Sequence, residues 1–284
     1  MRTWARGDER APHKPLLLLL ALGRVQRGED RLVPFKDVRE PLRRLLMEFG
    51  PSRDSYHPEY PFWRLQHDGL WEVPGGEHLE PRRGNTNPSL GALLGVSGGF
   101  PEAVDDVLRA RPDLVRELGH EVLNAHFPSS LHESILGSVG LDLDPPAILG
   151  ARRARDRAFR DLVLRAYGYQ CAVCGLDARL DGAAIGLEAA HVHWHASRGP
   201  DAVENGLCLC PLHHKALDLG LLALGQQRRL LVSSRLHGGD AVEAQLGRYH
   251  GRELVGPLHG QPCVADVHAE WHRREVFKAP SRAA

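Results

Sequence analysis

The sequence has no long apolar run. Its most apolar stretch, Leu16–Leu22, stops at Gly23 and falls far short of the roughly 20 residues a membrane crossing needs. No membrane span is expected. The start, MRTWARGDER, is polar and charged and does not read as a secretory signal. Cysteine is scarce, five residues in 284. Four of the five fall between Cys171 and Cys210, which fits metal ligation in a reducing compartment better than a disulfide framework. The expected location is therefore the cytoplasm. Net charge is zero, with 36 Lys and Arg against 36 Asp and Glu, so the chain as a whole is no bulk basic clamp for nucleic acid. Neither an internal repeat nor a low-complexity segment is present, which excludes a solenoid.

What is present divides in two. A length of 284 residues allows two ordinary domains. Residues 1–150 carry 18 Lys and Arg against 22 Asp and Glu, and residues 151–284 carry 18 against 14. The second half is thus mildly basic, as a phosphate-binding surface should be. Nucleic-acid recognition by the acidic first half would need a specific pocket.

The stretch from Cys171 to Asp218 organises the second half. Cys171 and Cys174 form a Cys-x-x-Cys pair, and Cys210 and His213 form a Cys-x-x-His pair about 35 residues later. Two such pairs can close a tetrahedron around zinc, and a site closed by four protein ligands is structural. A redox pair would need a thioredoxin-like setting, which is lacking. Interleaved with the clamp are His191, Asn205 and His214. The apolar segment Ala184–His191 reads as a strand and Gly206–Leu209 as a second. Pro211 suits a helix's first turn, so 212–219 reads as a helix. His191 then sits on a strand and His214 on the helix. His213 and His214, being adjacent, point in different directions. Taken singly, His191 could be a core histidine and Asn205 a turn cap. Cys208 reads as packing, and Cys263 is uninterpreted.

These residues resemble the HNH (ββα-metal) nucleases over roughly 160–235. The forms Ala189-Ala190-His191, Asn205-Gly206-Leu207 and His213-His214-Lys215 with Asp218 resemble the branch found in modification-dependent restriction enzymes. The resemblance implies His191 as general base, at home near neutral pH. It implies His214 as ligand of a catalytic Mg2+ or Mn2+, and Asn205 as a group that orients His191 or completes the metal's surroundings. The chain departs from the family pattern at Ala190, where many members place a metal-binding Asp or His. Glu188, three residues before His191, should point to the opposite strand face. His193 and His195 are expected to face DNA from the following loop.

In the first half, His13-Lys14-Pro15 opens a helix from Leu16 to about Gln26, apolar all round and so central to a core. A second helix is expected at about 36–49, with further ones near 101–109, 112–125 and 130–139. Asp68-Gly69 between 62–65 and 70–73 is a hairpin signal. The approach, Tyr56 to Trp63, is dense in rings and prolines and could form a rigid apolar cup or an ordinary packed loop. Residues 75–100 read as a long loop, 140–152 as a linker, 155–167 as a helix, 221–232 as a hairpin around 225–227, and 240–248 and 265–277 as helices, the last docking back on the nuclease.

Arg10 with His13-Lys14-Pro15-Leu16-Leu17, the run from His57 to Trp63 and Asp68-Gly69-Leu70-Trp71 resemble the sulfur-binding domain of phosphorothioate-dependent restriction endonucleases, over roughly 5–140. In that family the domain precedes an HNH domain of this same branch. The resemblance implies an apolar cup that rewards burying a soft, poorly hydrated sulfur and penalises a desolvated phosphate oxygen. It places Arg10, His57, Pro58 and Pro61 at the cup, with Tyr60 beside them. His13, Lys14 and Arg83 become candidates for backbone or base contacts.

The expectation is therefore an α+β protein. Residues 1–145 would form a mainly helical sulfur-binding domain with a small β-hairpin, 146–160 a linker and leading helix, and 161–284 a zinc-stabilised HNH domain. The partner would be double-stranded DNA carrying phosphorothioate, and cutting both strands implies a homodimer. An HNH nuclease reading a methylated base, or a silent zinc module that binds DNA, are the alternatives.

Overall fold

The computed structural model describes residues 11–80, 87–143 and 150–283. The chain separates into two compact units, Met1–Pro146 and Ala147–Ala284.

The first unit is built around α1 (His13–Gln26). Its leucines have no polar face to turn to solvent, and Leu16 to Leu20 are all buried. At roughly 1.5–3 kcal/mol per fully buried leucine, this helix contributes more buried apolar side chains than any other helix of the unit. Pro15 sits in its first turn, where a missing N–H costs nothing. After strand β1 (Val33–Pro34) come α2 (Phe35–Phe49), the short α3 (Glu59–Arg64) and α4 (Leu90–Leu93), then strand β2 (Ser97–Gly98) and helices α5 (Glu102–Ala110), α6 (Pro112–His126) and α7 (Ser129–Val139). Helix α1 packs against α2, α3, α5, α6 and α7.

The small β element lies elsewhere than the Asp68-Gly69 signal suggested. Residues 62–65 are helical: Phe62 lies in α3 and Leu65 opens a 3₁₀ turn, Leu65–Asp68, closed by Gly69 in the left-handed region at φ 70°. The paired strands are instead β1 and β2, antiparallel. Proline explains the difference. Pro58 precedes α3 and Pro61 lies in its first turn, where fixed φ favours a helix. Phe62 and Leu65, at helical spacing, then both reach full burial. The stretch expected as one long loop, 75–100, carries α4 and β2.

In the second unit α8 (Gly150–Ala166) leads into the Cys171 knuckle. Two short strands, β3 (Arg179–Leu180) and β4 (Ala183–Ala184), pair antiparallel. The strand expected over 184–191 is broken by Gly186 at φ 66°, so β5 runs only from Glu188 to His191. It pairs antiparallel with β6 (Gly206–Leu209), Glu188 opposite Leu209 and His191 opposite Gly206. Helix α9 (Pro211–Asp218) packs on both strands, giving a ββα arrangement. The hairpin β7 (Leu222–Leu224) and β8 (Leu230–Val232) follows, then α10 (Asp240–Gln245) and α11 (Asp266–Glu275). Helix α11 docks on β7, with Trp271 buried and His272 Nε2 donating to the Leu217 carbonyl at 3.1 Å. Cys208 is core packing, fully buried. Gly206 is required by the packing of α8: a Cβ there would stand 2.4 Å from Val163. No helix among the described residues is long and apolar enough to cross a membrane.

Candidate functional site

The clamp residues converge. The ligand atoms of Cys171, Cys174, Cys210 and His213 all lie within 4.8 Å of one another. Cys171 is set by a knuckle in which its carbonyl accepts from Gly175 N–H and its N–H donates to the Leu176 carbonyl. Cys210 precedes α9, and its N–H donates to Cys171 Sγ at 3.4 Å. His213 Nδ1 stands 3.0 Å from Cys210 Sγ and 3.7 Å from Cys171 Sγ. Its Nε2–H donates to the Gln245 carbonyl at 2.9 Å, which fixes the tautomer and leaves Nδ1 free to ligate. Hydrogen bonding from Cys210 first, then from His213 and the Cys174 and Cys210 backbone, holds the Cys171 thiol well below the usual thiol range against the opposing effect of burial. A thiolate is the form that binds metal. The donor set, its closeness and the outer hydrogen bond all fit a closed structural metal site, joining the end of α8 to the start of α9.

His191, at the end of β5, stacks on Phe159 of α8, centroids 3.8 Å apart and rings 14° from parallel. Its Nε2 lies 2.8 Å from Asp201 Oδ1. An ionised carboxylate only accepts, so Nε2 carries the proton and Nδ1 is left as a base. Burial pushes the His191 pKa down, against an upward pull from Asp201 and, more weakly, Asp218. Asp201 escaped the sequence reading because it sits in the loop between β5 and β6, ten residues from the histidine it holds. A carboxylate placed shortly before Asn205 was the available signal.

Asn205 is fully buried and spent on the backbone of that loop. Its Oδ1 accepts from His193 N–H at 2.7 Å, and its Nδ2 donates to the carbonyls of His193 and Pro200, both at 2.9 Å. These bonds hold the loop that carries Asp201, so Asn205 bears on His191 through the backbone. His193 does not face outward as expected. It stacks on Trp271 at 4.1 Å and donates from Nε2 to the Ser197 carbonyl. His195 is exposed, 3.9 Å from Asp201 Oδ2.

His214 turns away from the clamp. Its Nδ1 meets Glu188 Oε2 at 2.7 Å, and its Nε2 meets Asp218 Oδ2 at 3.1 Å. Burial alone would lower its pKa, but Asp218 and Glu188 outweigh that and raise it to about 10. Asp218, itself buried, is thus one of two carboxylates that hold the His214 ring, one at each nitrogen.

In the first unit an open pocket of about 350 Å³ gathers three of the sequence candidates, His13, His57 and Tyr60, with Leu46, Pro51 and Tyr56 among its other walls. One wall is a three-layer stack. The Tyr60 ring lies 4.6 Å from His57, nearly parallel, and the Arg64 guanidinium covers Tyr60 at 4.8 Å. Arg64 donates in turn to the fully buried Asn87 at 3.0 Å. His57 is fixed on both sides, donating from Nδ1 to Glu59 and accepting at Nε2 from Ser55, each at 2.8 Å. Pro58 and Pro61 are buried and do not line this pocket. Lys14 is engaged at 2.8 Å by Asp68, whose side chain is only 2% exposed. Arg10 and Arg83 lie outside the described residues. Tyr56 opens the ring-rich stretch expected to form the cup, whereas Leu46 and Pro51 escaped the sequence reading because they reach the pocket from the end of α2 and the loop just beyond it, outside the family motif.

Comparison with known proteins decides the family. Residues 1–144 match the family described as "ScoMcrA-like, DNA sulfur-binding domain". The chain belongs to this family. A second match, over residues 171–225, is to the HNH endonuclease family, and together with the metal-ligand cluster it marks an HNH nuclease domain within the second unit. Among solved structures, it is similar to "Sulfur binding domain of ScoMcrA complexed with phosphorothioated DNA", with 27% identity, a TM-score of 0.43, and coverage of 50% of this chain and 90% of that one. It is also similar to "Structure of the Type IV phosphorothioation-dependent restriction endonuclease ScoMcrA", with 27% identity and a TM-score of 0.42. There the match covers 48% of this chain and 27% of that one. No curated protein matches it.

Proposed function

We propose that this chain is a modification-dependent restriction endonuclease that binds phosphorothioated double-stranded DNA through its first unit and hydrolyses nearby phosphodiester bonds through its second. The observation that carries the reading is the joint presence, in one chain, of a sulfur-binding family domain and a histidine–carboxylate centre beside a metal clamp.

The pocket walled by His13, Leu46, Pro51, Tyr56, His57 and Tyr60 takes the modified phosphate. Its apolar rings favour sulfur, which gives up little hydration, over oxygen, which gives up much. From the family motif, Arg10 balances the phosphate charge and Arg83 and Lys14 contact the backbone, Lys14 after release from Asp68. Pro58 and Pro61 shape the cup by holding α3 behind it. In the second unit His191 accepts the proton of the attacking water at Nδ1, while Asp201 fixes the ring and Asn205 braces the loop. His214 is a ligand for a divalent cation, magnesium or manganese, which would offset charge on the leaving oxygen. The ion in the Cys171, Cys174, Cys210 and His213 site is zinc, by its thiolate and imidazole donors. Two centres are needed to cut both strands, so the working form is a homodimer in the cytoplasm.

The direct test pairs gel shift with cleavage on one duplex, with and without a single stereodefined phosphorothioate, with manganese added or withheld. Selective binding and manganese-dependent cutting of the sulfur-bearing duplex are expected. Cutting of both duplexes alike would leave a nuclease without a sulfur reader. Tyr60→Ala, which opens the His57–Arg64 stack, should reduce the affinity ratio of the two duplexes by about tenfold, the scale of one good aromatic contact. An unchanged ratio would remove Tyr60 from the pocket.

The pH profile tests the pairing of His191 with Asp201. The base works when deprotonated, so cutting should rise with pH through a limb below the ordinary histidine value, because burial lowers this pKa. Asp201 pulls the other way. In Asp201→Asn the limb should therefore move to lower pH, and the plateau should fall as the ring loses its charged anchor. His195 and Asp218 remain in place in that variant. A limb that stays put in kcat/KM measurements would assign the titration to another group.

A further inference from the structure

We infer that Glu188 is the second protein ligand of the divalent cation at His214, supplying the anion that position 190 lacks. The inference rests on the nuclease reading for the cation's purpose, but its test does not depend on cutting. Three observations carry it.

The first is strand register. Glu188 and Ala190 are two apart on β5, so they share a strand face. An oxygen ligand missing at Ala190 can be replaced from the same face one pleat earlier by a longer side chain. Helix α9 packs across this strand, which brings His214 within reach.

The second is the way His214 is held. Asp218, at the end of the same helix, is 1% exposed and engages His214 Nε2 at 3.1 Å. A carboxylate accepting from one ring nitrogen is the usual outer support of a metal-binding histidine, and it aims the other nitrogen at the ion. Here that other nitrogen, Nδ1, faces Glu188.

The third is access. The Glu188 side chain is 47% exposed while that of His214 is 15% exposed. The imidazole is thus fixed from the protein side, and the carboxylate opposite it opens toward solvent. An oxygen and a nitrogen 2.7 Å apart would hold one hard cation together after a small rotation of Glu188, the cation replacing the proton between them, which passes to solvent water. The remaining positions are left to water and phosphate oxygens, as magnesium and manganese commonly require. The structural clamp offers thiolates and is closed, so the two sites differ in chemistry as well as place.

Manganese binding to the zinc-loaded protein, followed by electron paramagnetic resonance of the free ion without DNA, reads this site alone. Glu188→Gln keeps shape and hydrogen bonding but removes the anion. Its manganese affinity should fall at least about tenfold, the lower end of what even an outer-shell loss costs, with zinc content and melting unchanged. Glu188→Asp should recover part of the loss. In the wild type, manganese should also broaden the His214 ring signals. Equal manganese affinity in wild type and Glu188→Gln, or broadening centred elsewhere, would overturn the inference and leave the nuclease reading standing. Loss of manganese binding in Glu188→Gln from a wild type that cuts no DNA would support the site and count against the nuclease reading.

Discussion

His191→Ala is expected to lower the rate of cutting by about 10²–10⁴-fold, the range of a lost general base, and to leave binding of phosphorothioated DNA intact. Three features of the ring lead to this. It is fixed by stacking on Phe159 and by the bond to Asp201. The proton assignment leaves Nδ1 as its one basic atom. Burial keeps it neutral at physiological pH, because its pKa lies below the usual histidine value. The pocket proposed for the modified phosphate belongs to the other unit, so affinity has no reason to follow. Single-turnover cleavage and a binding titration on the same preparation separate the two. If the variant also lost binding and melted early, the stack on Phe159 would be structural, and His191 would have to be withdrawn as the base.

Removal of the clamp ion should have the largest effect on stability. Apparent folding contributions of structural zinc in small domains run to about 10–16 kcal/mol near neutral pH, more than a domain's whole net stability. In this chain the ligands tie the knuckle after α8 to the end of β6 and the start of α9. Cys171, Cys208 and Cys210 are themselves part of the unit's apolar core. The backbone repeats the link, since Ala172 N–H donates to the Cys208 carbonyl and Val255 N–H to that of Ala172. Without the ion, four closely gathered ligand groups would lose the partner that satisfies them. A strong chelator, or Cys174→Ala, should therefore abolish the melting transition of the second unit and all cutting. The first unit, with its own core around α1, should keep its transition and its DNA binding. Calorimetry with and without chelator checks this. An unchanged transition for the second unit would mean that the four residues hold no structural ion.

The degree to which the fold could be read from the chain varied with the range of the forces involved. Helix α1 was legible because five successive leucines leave a helix no face but a buried one. Helices α5 to α7 were legible because Pro112 starts one of them and a linker from residue 140 ends the last. The clamp was legible because the spacing of Cys171, Cys174, Cys210 and His213 is itself a geometric constraint. Asp68-Gly69 misled because turn chemistry is a weak local preference. There it was overruled by prolines that start a helix and by the burial of Phe62 and Leu65 against α1 and its neighbours.

The mainly helical first unit, the ββα order of the second and the clamp could be read from the chain alone. These follow from periodicity, from proline and glycine, and from ligand spacing, all of which act within one or two elements. What surrounds the candidate site residues was set by the packing of each whole unit. That packing put Asp201 on His191, turned Asn205 to the loop backbone and turned His193 inward to Trp271. It set His214 between Glu188 and Asp218, and closed Tyr60 between His57 and Arg64. Each of these is a contact between side chains on separate segments, and its partner is chosen by packing of the whole unit. A one-dimensional pattern records which residues can make such contacts. Which of them meet depends on the mutual burial of helices and strands far apart in the chain.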